Sequence, residues 1–421
     1  MTSFTNDHIL HLLEKLRTTV KTPITQITFR IPPKQKAIIK VLLVPIQILV
    51  IALDFLYCKD NNLIVFGSNI GQYKSGSPKA LYDYVQDKQN TFRGFFYAPF
   101  ELKSTAQELI MSVVKFAPIF FRARYLVSSH PPMDFVPFIW WSRRKVLINV
   151  WHGGPVKAIF FADADEKLND LRTVKSLNKR TNIFVVASQL EAALISEEFQ
   201  LNPKKFQYLG HPRNDILLSG ASDNKIVTKT IRNVPTYKKV ILYCPTYRRD
   251  NSVEILPFGD LDTEKLFKFL EESEAIMLIR QHLMAKLIKT EYLSNRIIDF
   301  GFDICPDINP ALPEIDVLVT DYSSIYIDYL LLNRPCIFIP YDIEQYKERR
   351  GLLLDDYDFW APGYKVKTFE EFLKALEFSL SGQDVHKAHR EEICRQFNYY
   401  QTDRSCEKIL NILKMRHKHL N

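Results

Sequence analysis

The sequence predicts an α/β protein with two parallel β-sheets, each covered by helices. Short apolar runs of strand length recur along the chain, and helix-like stretches separate most of them. Both faces of these runs are apolar, which is typical of strands in a doubly wound sheet. A chain of 421 residues also exceeds what one hydrophobic core usually supports, and this favours two domains.

The predicted strands and helices alternate along the chain, as parallel sheets with crossover helices require. The strands are residues 63–66, 125–128, 146–149, 183–187, 240–243, 276–279, 296–299, 317–320 and 336–339. Examples of the helices are Pro78 to Asp87, Gln189 to Glu198, Thr263 to Glu272, Ser324 to Leu332 and Phe369 to Leu380.

A domain boundary is predicted where this pattern weakens, in LSGASDNKIVTKT (residues 218–230). Four or five strands on each side predict two Rossmann-like domains, residues 58–225 and 226–400, facing each other across a cleft. Residues 401–421 are expected to form a C-terminal helix that packs back on the first domain. Ligands of such sheets bind at the carboxyl ends of the strands.

Residues 1–57 form a separate basic and apolar segment. Residues 1–40 carry seven Lys or Arg against two acidic residues, so +5 of the net charge of +8 lies there. The apolar run Ala37 to Tyr57 is interrupted by polar residues, so it predicts a helix lying on a membrane surface and not a spanning one. Packing of this helix on the first domain is an equally good reading. If the segment only targets the membrane, a chain beginning near Asn61 should still fold.

Composition argues against several other classes of function. The positive charge is concentrated in the N-terminal arm and does not follow a groove with interleaved aromatic residues, so nucleic acid is not expected as a partner. GSNIGQYKSG (residues 67–76) lacks GxGxxG and no Walker A loop is present, which disfavours NAD and ATP. The six cysteines contain no CxxC pair, so no metal site is predicted, and dependence on a divalent metal is left open.

Polar, Gly or Pro residues follow several of the predicted strands, where ligands are expected. These segments are 67–82, WHGGPVK (151–157), YLGHPRND (208–215), YCPTYRRD (243–250), IRQH (279–282) and TDYSSIYIDYLLLNRP (320–335). Their histidines, arginines and paired serines suit a phosphorylated substrate.

WHGGPVK offers a base beside glycines. His152 can accept a proton near neutral pH, Gly153 allows a ligand to approach the backbone closely, and Lys157 can stabilise charge on a phosphoryl group. A histidine packed in the core is the alternative, which the GGP sequence and the strand-end position disfavour.

TDYSS offers an anion site. Ser323 and Ser324 come where a helix begins, so their hydroxyls and the first backbone N–H groups can bind a diphosphate. The alternative is that Ser323 or Asp321 only caps the helix.

The other segments give weaker signals. Arg280 and His282 follow a strand and could face a phosphate or a nucleotide, although His282 could equally be a surface loop residue. His211 in GHPRND is expected in a structural turn, with Arg213 and Asp215 shaping the cleft.

Together, WHGGPVK, GHPRND, CPTYRRD and the long segment DVLVTDYSSIYIDYLLLNRPCIFIPYDIEQYKERRG resemble the CDP-glycerol glycerophosphotransferase family of teichoic acid and capsular polymer synthesis. The resemblance runs from about Leu63 to about Gly363. It implies a GT-B fold and transfer of glycerol phosphate or ribitol phosphate from a CDP-alditol to a hydroxyl of a polyprenyl-linked or polymer acceptor, with release of CMP. It also implies a peripheral location at the cytoplasmic, inner face of the membrane.

The resemblance assigns roles to residues that match the family's motifs. It makes His152 and His282 the catalytic residues, at the acceptor hydroxyl and near the donor phosphates respectively. The donor-binding residues would be Arg248, Arg280, Asp321, Ser323 and Ser324. Gly153, Lys157, Arg213 and Asp215 would lie at the acceptor or in the cleft.

Two positions depart from the family's pattern. The family usually has WHGTPLK, where this chain has Gly154 and Val156, and it often has a proline where this chain has Leu283. The missing threonine hydroxyl puts acceptor preference in question. The alternative activity is a GT-B glycosyltransferase that uses a CMP-sugar.

Overall fold

The computed structural model describes most of the chain beyond its N-terminal segment. The described residues are 48–87, 91–99, 106–130, 133–138, 141, 144–163, 171, 174–175, 178–220, 226–231, 234–246, 248, 254–281 and 294–418. The basic arm, residues 1–40, and His282 therefore lie outside them.

Two six-stranded sheets form the framework, with the strand orders β2-β1-β3-β4-β5-β6 and β12-β11-β10-β7-β8-β9. The strands of the first sheet are β1 Asp60–Gly67, β2 Arg93–Tyr97, β3 Ala123–Ser128, β4 Val146–Asn149, β5 Thr181–Val186 and β6 Phe206–Tyr208. Those of the second are β7 Lys239–Cys244, β8 Ala275–Ile279, β9 Ile297–Asp299, β10 Val317–Thr320, β11 Cys336–Phe338 and β12 Tyr364–Lys365.

The α-helices lie mainly between strands. Besides helical residues 48–56, the helices of the described residues include Gly76–Asp87, Ala106–Arg122, Gln189–Phe199, Asp215–Leu218, Ile226–Thr230, Thr263–Glu272, Ile325–Tyr329, Ile343–Arg349, Tyr357–Trp360, Phe369–Leu380, Lys387–Asn398 and Ser405–Lys418. Several begin at the residues that favour helix starts. Ser188, Asp262 and Thr368 each accept a hydrogen bond from a backbone N–H in the first turn of the helix that follows.

The predicted α/β class and all the predicted strands are confirmed. Each sheet has more strands than expected because β2, β6 and β12 were not predicted. β6 and β12 are only three and two residues long, and β2 carries exposed residues at its start, so none of them shows a continuous apolar run. The predicted helices are also present, whereas Ala106–Arg122, Ile343–Arg349 and Lys387–Asn398 are among those that were not predicted.

Contacts divide the chain into two compact units, Met1–Tyr73 with Val85–Leu147 and Lys74–Tyr84 with Ile148–Asn421. The domain limits expected from the sequence, at residues 57, 225 and 400, stay predictions. In the first unit an aromatic-rich core includes Phe116, Phe120, Phe135 and Trp141. The second unit holds the cores on both faces of the second sheet.

Helical residues 48–56 contribute to the core of the first unit. Val50 and Leu53 pack against it, and the fully buried Asp54 lies 3.0 Å from the amino groups of both Lys59 and Lys145. Removing Asp54 would leave buried lysines without their carboxylate. This packing argues against the expectation that a chain beginning near Asn61 keeps its fold.

The opposite side of the same helical residues is apolar and exposed, at Ile48, Leu49, Phe55 and Leu56. None of the helices in the described part of the chain has the length and hydropathy to cross a membrane. Association of the segment with a membrane surface stays a prediction.

Candidate active site

The turn after β4 presents His152 at the protein surface. The Asn149 side chain accepts a hydrogen bond of 2.9 Å from the Trp151 N–H, and Trp151 takes a left-handed conformation with φ of 46°. The buried Trp151 ring packs edge-on against Phe199, with 4.8 Å between ring centroids. His152 is exposed, and its ring lies 4.0 Å from that of Trp151. The anchored tryptophan thus fixes the position of the histidine.

The two glycines after His152 bring this turn against the segment that follows β10. A Cβ atom at position 153 would lie 2.8 Å from the Ser324 Oγ, and one at position 154 would lie 2.9 Å from the Ile327 side chain. Both distances are too short for a side chain. The family usually has threonine at the position of Gly154, and here the glycine allows the Ile327 side chain to lie close to the backbone.

Ser323 and Ser324 follow β10 and precede helix Ile325–Tyr329. Ser324 is the N-cap residue, but its side chain makes no capping hydrogen bond. Within the described part of the chain, neither hydroxyl has a hydrogen-bond partner. The capping alternative is therefore not observed for the serines, and both hydroxyls are available to a ligand.

Asp321 joins the ends of β7 and β10. Its carboxylate accepts hydrogen bonds from the backbone N–H groups of Thr246 (2.8 Å) and Tyr322 (2.6 Å), and from Arg248 (3.0 Å). The carboxylate is buried and its oxygens are used by the protein. Its observed part is to hold the backbone that precedes the two serines.

Arg248 is held by two carboxylates. Besides Asp321, it binds Asp342 through two hydrogen bonds of 2.9 Å, and its guanidinium lies over the rings of Tyr322, Tyr341 and Tyr346. Burial would lower its pKa, but the hydrogen bond to Asp342 and the charge of Asp321 raise it above the ordinary value. A direct role in donor binding stays a prediction.

Arg280 follows β8 and is buried, and no carboxylate of the described residues is bonded to it. It donates to the carbonyls of Cys305 (2.6 Å) and Phe300 (3.2 Å), and burial lowers its pKa. Asp307 lies nearby and accepts a hydrogen bond of 2.9 Å from the Gly76 N–H, at the start of helix Gly76–Asp87. Burial raises the pKa of the Asp307 carboxyl.

Arg213 of the GHPRND segment supports the helix that follows Ser324. Its guanidinium donates two hydrogen bonds, of 2.7 and 2.9 Å, to Asp328. Asn214 donates to the same carboxylate at 2.8 Å. Burial would raise the pKa of Asp328, but Arg213 lowers it below the ordinary value. This buried network was not predicted, although Asp328 lies four residues after Ser324 in the same motif.

Asp215 caps the last helix. Its carboxylate accepts hydrogen bonds from the N–H groups of Ser405 (3.0 Å) and Cys406 (2.9 Å). His211, four residues earlier in the chain, is buried and pairs with Glu191 at 2.8 Å, in agreement with a structural turn. The contribution of Arg213 and Asp215 to the cleft stays a prediction, because both side chains are already hydrogen-bonded to other groups of the protein.

The structure thus brings together His152, Gly153, Lys157, Asp321 and Ser324, whereas Arg213 is bonded to Asp328 and Asp215 to the start of the last helix. Lys157 lies within electrostatic range of Asp321, and close to two residues that sequence reasoning missed, Glu198 and Arg350. The KERRG sequence around Arg350 lies in the matched motif and could have identified it. No signal of that kind marks Glu198.

Among the described residues, no group of three or more His, Cys, Asp or Glu side chains is placed to hold a metal ion. The strand ends described above carry a histidine, two serine hydroxyls and cationic side chains. These groups suit the binding and transfer of a phosphorylated group.

Residues 49–414 match the CDP-Glycerol:Poly(glycerophosphate) glycerophosphotransferase family. The chain belongs to this family. This match confirms the resemblance found in the motifs and extends it over most of the chain.

Relatives of this family member include enzymes of teichoic acid synthesis. It is 27% identical over 367 residues to the teichoic acid poly(glycerol phosphate) polymerase of Bacillus subtilis, covering 83% of this chain and 48% of the relative. It is 28% identical to the teichoic acid glycerol-phosphate transferase of Staphylococcus aureus, covering 76% of this chain and 84% of the relative. The chain thus spans about half the length of the first of these relatives.

A solved structure of the wall teichoic acid polymerase TagF has the same fold as this family member. The TM-score is 0.73 at 22% identity, and the match covers 92% of this chain and 97% of the TagF chain. The similarity confirms the predicted GT-B fold class.

Proposed function

We propose that this protein transfers glycerol phosphate or ribitol phosphate from a CDP-alditol to a hydroxyl group of a lipid-linked acceptor, in the synthesis of a teichoic acid or capsule-type polymer. The observation that supports the proposal is the close approach of Gly153, the residue after the candidate base His152, to Ser324, one of the two serines proposed to bind the diphosphate. Membership of the glycerophosphotransferase family supports the donor class.

In the proposed reaction, the acceptor oxygen attacks the phosphorus that bears the alditol. His152 takes the proton of the hydroxyl, a new phosphorus–oxygen bond forms, and the bond to CMP breaks, so that CMP leaves with the electron pair. Ser323 and Ser324 hold the diphosphate through hydrogen bonds, and Lys157 stabilises the developing negative charge. His282, outside the described residues, is proposed to act near the donor phosphates.

Arg248 and Asp321 position the serines in this proposal, and Arg280 shapes the donor side of the same sheet. This assignment follows from their contacts, since Arg248 and Asp321 are bonded to each other and Asp321 binds the backbone N–H of Tyr322. Arg213 and Asp215 support the site from behind, through Asp328 and the last helix.

A donor panel tests the proposal. The protein is incubated with a glycerol-phosphate acceptor analogue and with CDP-glycerol, CDP-ribitol or a CMP-sugar, and release of CMP is measured. We expect release from a CDP-alditol and not from the CMP-sugar. Release from the CMP-sugar alone would refute the proposed reaction and favour the glycosyltransferase alternative.

The acceptor is proposed to be polyprenyl-linked and met at the cytoplasmic face of the membrane. The basic arm and the exposed Ile48, Leu49, Phe55 and Leu56 support a peripheral association. A chain beginning at Ile48 keeps the buried Asp54 and is expected to keep CMP release with a soluble acceptor while losing binding to anionic liposomes. Unchanged liposome binding would show that the arm is not the membrane-binding element.

A further inference from the structure

Lys157 and Arg350 lie on two segments that a short strand pair joins. Residue Lys157 forms an antiparallel bridge with Leu352, and backbone hydrogen bonds of 3.0 and 3.1 Å link residues 156–158 to residues 351–353. Arg350 comes directly before this pair, at the end of helix Ile343–Arg349. The backbone therefore fixes the approach of the two cationic residues.

Neither cation has a partner in the part of the protein that the structure describes. Within the described residues, the Lys157 amino group and the Arg350 guanidinium form no ion pair or hydrogen bond, and the Arg350 Nε is buried without one. Burial lowers the pKa of Lys157 to about 8, and Arg350 is the strongest of the charges that contribute to the decrease. Two like charges are thus held close together.

The carboxyl groups around them do not balance these charges. Asp321 is bonded to Arg248, and Asp342 is bonded to the same arginine. Glu198 is buried, and burial raises its pKa to about 9, so its side chain is neutral at pH 7. Two cations with no available counter-ion among the described carboxylates favour a bound anion.

We infer that Arg350 is a second phosphate-binding residue, which acts as a pair with Lys157 beside His152 and Ser324. The inference rests on the proposed function, which supplies two sources of the phosphate group. These are the diphosphate of the CDP-alditol and a phosphodiester of the acceptor. Glu198 lies within electrostatic range of both cations, and its neutral side chain leaves both charges available to the phosphate.

Substitutions test the pair. Arg350→Gln and Lys157→Gln are each expected to raise the dissociation constant or the KM of the phosphate-bearing substrate by roughly tenfold or more, the effect of losing a charge-assisted hydrogen bond. The control is Arg349→Gln, because Arg349 is the exposed neighbouring residue of the same helix. It is expected to change either constant by less than about twofold.

The two sources give different results. An increased KM for CDP-glycerol with an unchanged KM for a soluble glycerol-phosphate acceptor identifies the donor diphosphate, and the reverse identifies the acceptor. Both results support the pair. Constants of Arg350→Gln that equal those of Arg349→Gln for both substrates would overturn it.

Glu198→Gln tests the neutral state of Glu198. A neutral amide replaces a neutral acid, so the affinity for CDP-glycerol and inorganic pyrophosphate at pH 7 is expected to stay within about threefold. A tenfold gain in affinity would show that Glu198 is the ionised counter-ion of the pair, and would overturn the inference.

A measurement on the unaltered chain avoids dependence on the folding of variants. Arginines are labelled with phenylglyoxal and identified by peptide mass spectrometry. CDP-glycerol or the acceptor analogue is expected to protect Arg350 and not Arg349. Equal labelling of Arg350 with and without both ligands would contradict the inference.

Failure of this inference is distinguishable from failure of the proposed function. Binding of inorganic pyrophosphate that depends on Arg350, without CMP release from any CDP-alditol, would leave the phosphate pair and refute the transferase. CMP release that is unchanged by substitution of Arg350 and Lys157 would support the transferase and refute the phosphate-binding pair.

Discussion

Residues 211–215 and residues 321–324 are both polar segments that follow strands, but the protein uses their side chains differently. In the first segment, His211, Arg213 and Asp215 are bonded to buried groups. In the second, the hydroxyls of Ser323 and Ser324 have no partner within the described residues. A polar side chain whose bonds are made inside the protein supports the architecture, whereas one without a partner remains available to a ligand.

The same difference separates the arginines near the candidate site. Arg213 and Arg248 each bind a carboxylate through two hydrogen bonds, whereas Arg350 binds no carboxylate of the described residues. Substitutions in the first group should therefore act on stability, and those in the second on ligand binding.

The largest expected effect is on stability, at Arg213. Arg213→Gln leaves the buried Asp328 without its main partner and should lower the free energy of unfolding by about 3–5 kcal/mol. Urea unfolding followed by fluorescence measures it. The control Arg349→Gln, at an exposed position, should change the same free energy by less than about 0.5 kcal/mol. A loss below about 1 kcal/mol at Arg213 would remove the contrast between the two segments.

The next effect is on turnover, at His152. His152→Ala should lower the rate of CMP release at least about a hundredfold, because a general base contributes at least that factor, while calorimetry should show donor affinity within about threefold. His211→Gln is the matched variant, expected to lower the melting temperature and to keep the turnover of the folded protein. Equal losses of turnover and donor affinity at His152 would refute its role as the base.

A smaller effect is expected on donor binding, at the two serines. Replacing Ser323 and Ser324 by alanine together should weaken binding of CMP and of the CDP-alditol by about 1–3 kcal/mol, with unchanged melting. Ser381→Ala, at an exposed serine after a helix, is the control and should leave binding unchanged. Unaltered affinity in the double variant would show that the hydroxyls do not hold the diphosphate.

The smallest effect is the pH dependence of binding at Lys157. With its pKa lowered to about 8, the amino group is charged below that pH and loses its proton above it. Affinity for CDP-glycerol should fall roughly tenfold between pH 7 and pH 9. Arg248, Arg350, Asp321 and Glu198 also act on this group, and Glu198, with a pKa of about 9, would add negative charge at the end of this range.

The variant Lys157→Arg distinguishes the titration of Lys157 from that of its neighbours, because an arginine stays charged between pH 7 and pH 9. Its affinity for CDP-glycerol should be nearly constant between pH 7 and pH 9. A decrease as steep as that of the unaltered chain would assign the titration to another group.

Periodicity and strand-end chemistry were sufficient to predict most of the fold and part of the candidate site. Long apolar runs marked the central strands, whereas the short strands β6 and β12 carry too few residues to show a pattern. His152, Ser323 and Ser324 were identified because strand ends carry ligand sites in such sheets. Glu198 was not, because a glutamate within a helix has no sequence feature that reports its burial.

The sequence by itself determined the order of strands and helices, the strand-end positions of the chemical groups and the family, since these depend on local patterns and matched motifs. Only the tertiary structure decided which polar side chains are hydrogen-bonded or ion-paired inside the protein. Arg213 meets Asp328 across 115 residues of chain, and Lys157 meets Arg350 through a strand pair between distant segments. Pairing over such distances depends on packing, and packing separates the supporting charges from those left for a ligand.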